Sequence, residues 1–270
     1  NLGDGRAGQR VKVALAVVLA LGALGTACGD DDGDGEATAG GGDATRLVVS
    51  AAASMTEALG ACAPEFGERE NADVRLSFAG SDELAAQIRQ GVKPDVYAAA
   101  NTRIPGELHD EGLIEKPVEF ATNEFVLAVP KDSSIDSIAD LTADDVKIAV
   151  GSESVPIGSY TRETLAKLPA EQEKAILANV RSNEPDVKGI VGKLSQGAAD
   201  AGFVYVTDVN AAGDELKAIE LPAELEPDVT YAAAAVKGAK QPATGRAFVD
   251  GLTEGPCAAA LQAAGFGAVP

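Results

Sequence analysis

The chain has 270 residues, enough for one large or two modest domains, and a hydrophobic fraction of 46% supplies a core. Its formal charge of −20 argues against nucleic acid and anionic membrane surfaces as partners, because both attract basic patches. Aromatics are only 4% and Trp is absent, so the core must pack small residues; an anionic ligand must be held by local geometry, not by the overall field.

In chain order, residues 1–27 carry Arg6, Arg10 and Lys12, then an apolar run at 13–24, then Gly25, Thr26 and Ala27 ahead of Cys28. A basic start, a short apolar core and small residues before a cut make a secretory signal. The run is short of the roughly 20 residues of a membrane span. A cysteine directly after the small residues predicts cleavage before Cys28 and lipidation there. Leu24 sits one place early for a bacterial lipobox and Gly25 takes its position, so an ordinary cleaved signal or an uncleaved anchor stay as alternatives. Residues 28–45, rich in Asp and Gly without apolar periodicity, predict a disordered acidic linker.

The stretch 47–57, LVVSAAASMTE, predicts a buried strand, a corner of small residues and a helix opened by Ser54, with Glu57 at capping-box spacing. A helix start at the carboxyl end of a strand points unpaired N–H groups and a positive dipole end outward. That is where an α/β protein holds an anion. The theme recurs. Strand 73–79 turns at Gly80 and Ser81 into helix 82–90, whose Asp82 and Glu83 would repel an anion unless they face away. Strand 94–100 and helix 103–111 follow, then strand 124–130. Strand 146–150 leads through GSESVPIG at 151–158 to a helix at 159–168. NEPDVK at 183–188 opens a helix over 187–196. Strand 201–206 carries Tyr205 near its end, strand 228–236 returns, and helices 242–253 and 256–264 close the chain. Strand–helix alternation predicts largely parallel sheets. Two lobes crossed twice by the chain make a cleft with donors from both sides.

Cys62 and Cys257 form an even pair in an exported chain, which predicts a disulfide from the first helix to the C-terminus; two buried free thiols are the alternative. The one histidine, His109, falls on a surface helix and is expected to be solvated. A hydrolase built on Ser54 lacks a base, no G-x-S-x-G elbow occurs, and no His, Cys and carboxylate cluster suggests zinc. The chain is therefore read as a binding protein and not an enzyme.

AAAS at 51–54, SFAGS at 77–81, AVGSESVPIG at 149–158, Asp186 with Val187, and GFVYVTD at 202–208 together resemble the periplasmic molybdate-binding proteins of ABC importers, from Arg46 to near the C-terminus. The resemblance implies an α/β, two-lobed type II periplasmic-binding-protein fold with mixed, mostly parallel sheets, flanking helices and a cleft. Lobe I would comprise residues 46–125 plus 231–270, and lobe II residues 126–230. It implies that molybdate or tungstate meets Ser54 and Ser81 through hydroxyl and backbone N–H, the backbone N–H of Ile157 and of Val187, and the hydroxyl of Tyr205. The family often has alanine where this chain has Ile157. Such a site uses neutral donors and no cofactor. The implied partners are the transmembrane subunits of an ABC permease, for a monomer anchored outside the cell membrane by a lipid on Cys28. A receptor for another anion, sulfate first, is the competing reading.

Overall fold

The computed structural model describes residues 44–270. The expected signal at 1–27, Cys28 and nearly all of the expected linker at 28–45 lie outside the described residues. The first part of the chain lays down β1 (Thr45–Ala52), α1 (Thr56–Glu70), β2 (Ala72–Ala79), α2 (Ser81–Arg89), β3 (Val96–Ala99), α3 (Arg103–Asp110) and β4 (Val118–Asn123). One residue later it enters a second set. That set is β5 (Phe125–Pro130), β6 (Ile148–Gly151), α4 (Pro156–Ala166), α5 (Ala170–Ala178), β7 (Val180–Glu184), α6 (Val187–Ser195), β8 (Ala201–Tyr205), α7 (Val206–Ala212) and β9 (Leu216–Ile219). The chain then returns as β10 (Val229–Ala235), α8 (Pro242–Gly251) and α9 (Pro256–Ala264).

Two five-stranded sheets result, ordered β2-β1-β3-β10-β4 and β7-β6-β8-β5-β9. In each, one strand opposes the rest. β10 is antiparallel to β3 and β4, and β5 is antiparallel to β8 and β9, while β2-β1-β3 and β7-β6-β8 are parallel runs. The opposed strand is the one that follows a crossing between sheets. Each sheet with its helices is one lobe, and the parallel runs aim their carboxyl ends at the other lobe. Ala52 of β1 pairs with Ala79 of β2, and Ala51 with Ala98 of β3, so three strand ends of lobe I finish nearly level.

The segments form where the sequence dictates. Leu47, Val49 and Ala51 are wholly buried on β1, as a strand flanked on both edges and packed on both faces requires. Pro156 at the first position of α4 and Pro242 at that of α8 give up no helical hydrogen bond. Lobe I carries a covalent tie: the sulfurs of Cys62 on α1 and Cys257 on α9 are 2.06 Å apart. Beside it Phe66 and Phe248 meet edge to face at 4.9 Å.

Several expectations are corrected. Ser54 does not cap α1. A 3₁₀ turn, Ala53–Met55, intervenes, and Met55 takes the cap position with no side-chain cap bond. The Ser54 hydroxyl is engaged elsewhere. Helix α4 begins at Pro156, three residues before the expected 159, because its first turn is the Pro156–Gly158 corner itself. Five strands and α-helices were not anticipated, β4, α5, β7, α7 and β9, nor were the short 3₁₀ turns.

Candidate functional site

The ends of β1, β2 and β3 face the starts of α4 and α6 and the end of β8 across a narrow cleft. The cavity between them measures ≈ 10 Å³ and is lined by Ser54, Ser81, Ile157, Val187 and Tyr205 among others. All five residues singled out from the sequence therefore meet at one place, and all five are buried. The volume is at the lower limit of the roughly 10–15 Å³ that admits a single water.

The lobes touch at several points, among them these. A Cβ added to Gly80 of lobe I would lie 2.5 Å from the carbonyl oxygen of Pro185 in lobe II, so the absence of a side chain permits the approach. The Tyr160 hydroxyl on α4 donates to the carbonyl of Ala100 at 3.3 Å. Lys188 Nζ on α6 donates to both carboxylate oxygens of Glu57 on α1, at 2.8 and 2.9 Å, and lies 3.2 Å from Asp208 Oδ1.

Lobe I contributes side-chain hydroxyls. Ser81 Oγ accepts from the Ala100 N–H at 3.1 Å, and Tyr97 donates to the Ser81 carbonyl at 2.7 Å. With its oxygen already accepting, the Ser81 hydroxyl keeps its hydrogen for another partner. Ser54 Oγ lies 2.8 Å from the hydroxyl of Tyr231 on β10.

Lobe II contributes main chain. Ile157 and Val187 are the second and first residues of α4 and α6, where no carbonyl four residues back lies within the helix to receive the N–H. Their side chains are core. Gly158 closes the corner, since a Cβ there would collide with the Ser152 carbonyl oxygen. Tyr205 adds the one side-chain donor. Its hydroxyl is buried and has no hydrogen-bond partner among the described residues. Burial drives its pKa well above the ordinary 10, so it stays a neutral O–H donor.

Lys, Arg and His are absent from the described lining of the cavity. Asp186 is there, but its carboxylate is turned to cap α6, accepting from the Gly189 N–H at 3.0 Å. Asp82 and Glu83, the two acids expected to trouble an anion, do not line the cavity. Among the described residues no group of His, Cys, Asp and Glu is placed to hold a metal ion. The arrangement offers hydrogen-bond donors, two helix starts and low dielectric, which together suit a compact anion.

Sequence reasoning missed what stands behind the donors: Tyr231, Asn123 and the ion-paired Asp208. Burial pushes the Asp208 carboxyl up to about 7, against the pull of Lys188. Nothing in the local sequence marks Asn123 or Tyr231, because their role is set by the crossing of the chain between lobes.

A two-lobed α/β fold with a donor-lined interlobe cavity defines a class, the solute receptors that close on a small ligand. The profile described as bacterial extracellular solute-binding protein matches residues 47–267, and the chain belongs to that family. Within it, the chain is 35% identical to the molybdate-binding protein ModA of Mycobacterium tuberculosis, covering 83% of this chain and 85% of the relative. It is 32% identical to the molybdate-binding protein ModA of Escherichia coli, covering 81% and 87%. The periplasmic molybdate-binding protein of Azotobacter vinelandii superposes with a TM-score of 0.74 at 21% identity, covering 83% of this chain and 99% of that one, which shows the shared fold.

Proposed function

We propose that this protein is an extracytoplasmic receptor that closes on molybdate, and on tungstate as its near twin, and hands it to an ABC permease in the membrane. The observation that carries this reading is the convergence of Ser54, Ser81, Ile157, Val187 and Tyr205 on one cation-free cavity, with a buried Tyr205 hydroxyl that lacks a partner. Relatives named for molybdate support the choice of ion. With the Asp186 carboxylate turned to cap α6, the hydroxyl and amide donors that remain suit a fully deprotonated tetrahedral dianion. Phosphate near neutral pH keeps a proton, and that proton finds no ready acceptor. Sulfate matches in charge, so the smaller ion would be rejected by poor fit and longer hydrogen bonds.

The lobes at residues 46–125 plus 231–270 and at 126–230 act as two jaws in this proposal. Lipidation of Cys28 would hold the monomer at the outer face of the membrane, with residues 28–45 as the tether. Titration calorimetry of the chain with molybdate, tungstate, sulfate and phosphate tests the reading. Tight binding of the first two and none of phosphate is expected. Binding of phosphate as tight as that of molybdate would refute it.

A further inference from the structure

Behind Ser54 lies a chain of buried polar groups whose direction can be read. The Glu124 N–H donates to Asn123 Oδ1 at 2.9 Å, which fixes how the Asn123 amide is turned. Asn123 Nδ2 therefore faces inward, donating to Thr207 Oγ1 at 2.9 Å and to the Tyr231 hydroxyl oxygen at 3.4 Å. The other partner of that Tyr231 oxygen is Ser54 Oγ at 2.8 Å. Asn123 Nδ2 cannot accept, and of the two hydroxyls beside Tyr231, those of Ser54 and Tyr205, only Ser54 Oγ lies within hydrogen-bond distance, so Ser54 takes the Tyr231 hydrogen. Were Ser54 to donate instead, the Tyr231 hydrogen would be stranded in a fully buried place, which is costly.

We propose that Asn123 and Tyr231 are positioning residues that impose one direction on this relay, Asn123 to Tyr231 to Ser54, and so aim the Ser54 hydrogen into the cleft as a donor. The inference rests on the receptor reading above and extends it. It explains why two residues without contact to the cavity sit at the points where the chain leaves lobe I and returns to it: Asn123 ends β4 and Tyr231 lies on β10. It also gives both serines one logic. Ser81 has its oxygen occupied by a main-chain N–H, and Ser54 has its oxygen occupied by a tyrosine held in the donating sense.

The test is a cycle of Tyr231→Phe with Ser54→Ala, read by calorimetry with molybdate and by thermal melting. Tyr231→Phe is expected to weaken binding ~10-fold when Ser54 is present and to change it little in the Ser54→Ala background. Melting should fall with Tyr231→Phe when Ser54 is present, because a buried hydrogen bond is lost, and should fall less in the Ser54→Ala background, where the Tyr231 hydroxyl has already lost that acceptor. An equal loss of affinity in both backgrounds, or no loss in either, overturns the relay. Asn123→Asp supplies a second arm, because it replaces the donor with an acceptor that draws the Tyr231 hydrogen away from Ser54. Its loss of affinity should be larger with Ser54 in place than in the Ser54→Ala background, whereas equal losses would mean charge repulsion alone and no relay. If Ser54→Ala by itself binds molybdate as tightly as the unsubstituted chain, the site assignment fails and the relay with it. If Ser54→Ala weakens binding and Tyr231→Phe does not, the site stands and the relay alone falls.

Discussion

The two walls of the cleft solve one problem by different means. Lobe I offers serine hydroxyls whose oxygens are already engaged, by Ala100 N–H for Ser81 and by Tyr231 for Ser54. Lobe II offers amides at the starts of α4 and α6 under side chains that belong to the core, plus the Tyr205 hydroxyl. A side-chain donor is specified by residue type and lost by one substitution. A main-chain donor is specified by where a helix begins and survives most changes at its own position. The lobes differ in reinforcement too, since lobe I carries the Cys62–Cys257 bond and lobe II has no counterpart among the described residues.

The largest expected effect tests that reinforcement. Replacing both Cys62 and Cys257 by serine should cost roughly 2–5 kcal/mol of stability in urea unfolding. Molybdate affinity should largely persist, because neither cysteine lines the cavity. Loss of binding without loss of stability would contradict this division of labour.

Next comes the contrast between side-chain and main-chain donors. Ser81→Ala should weaken molybdate binding by about 1.5–3 kcal/mol, the range for a hydrogen bond to a charged group. Val187→Ala should leave affinity nearly unchanged while losing stability at roughly 0.8 kcal/mol per buried CH₂. Equal affinity losses in the two variants would erase the distinction between the walls.

A third test addresses Asp208, buried in lobe II beside Lys188 and pushed up to about 7. An acid whose folded pKa exceeds its unfolded value holds its proton more tightly when folded. It therefore lowers stability as pH rises from about 4 to about 7. Asp208→Asn should gain stability relative to the parent over that window and level off above it, as measured by urea unfolding at pH 5 and pH 8. A difference that does not change with pH would refute the assignment.

The smallest effect is expected at the rim. Glu57 is half exposed, so its interlobe pair with Lys188 is worth only about 0.2–1 kcal/mol. Glu57→Gln should lower molybdate affinity a few-fold at most, and less so at high salt.

What could be read in the sequence follows the same division. Apolar strands such as β1, β5 and β8 and the helix starts at Ser81 and Val187 were legible, because buried runs and junction chemistry leave a signal in residue type. The strands missed are polar or short edge strands. β7 is VRSNE with alternating half exposure, β9 is four residues long, and β4 is VEFATN, whose first two residues are exposed, so the expected strand at 124–130 covers β5 alone. Helix α5 buries only Ile176, too little for an amphipathic pattern. The capping box at Ser54 failed because tertiary structure gave that hydroxyl a partner 177 residues away, which no local rule sees. The five cavity residues were found through motif resemblance joined to junction chemistry; Asn123 and Tyr231 were not, since their meeting depends on how the chain crosses between lobes.

The most direct test is a crystal structure of the protein grown with molybdate. Its oxygens should lie within hydrogen-bond distance, roughly 2.7–3.2 Å, of the Ser54, Ser81 and Tyr205 hydroxyls and the Ile157 and Val187 N–H groups. A molybdate held instead by a lysine or arginine, or seated outside the cleft, would contradict the account.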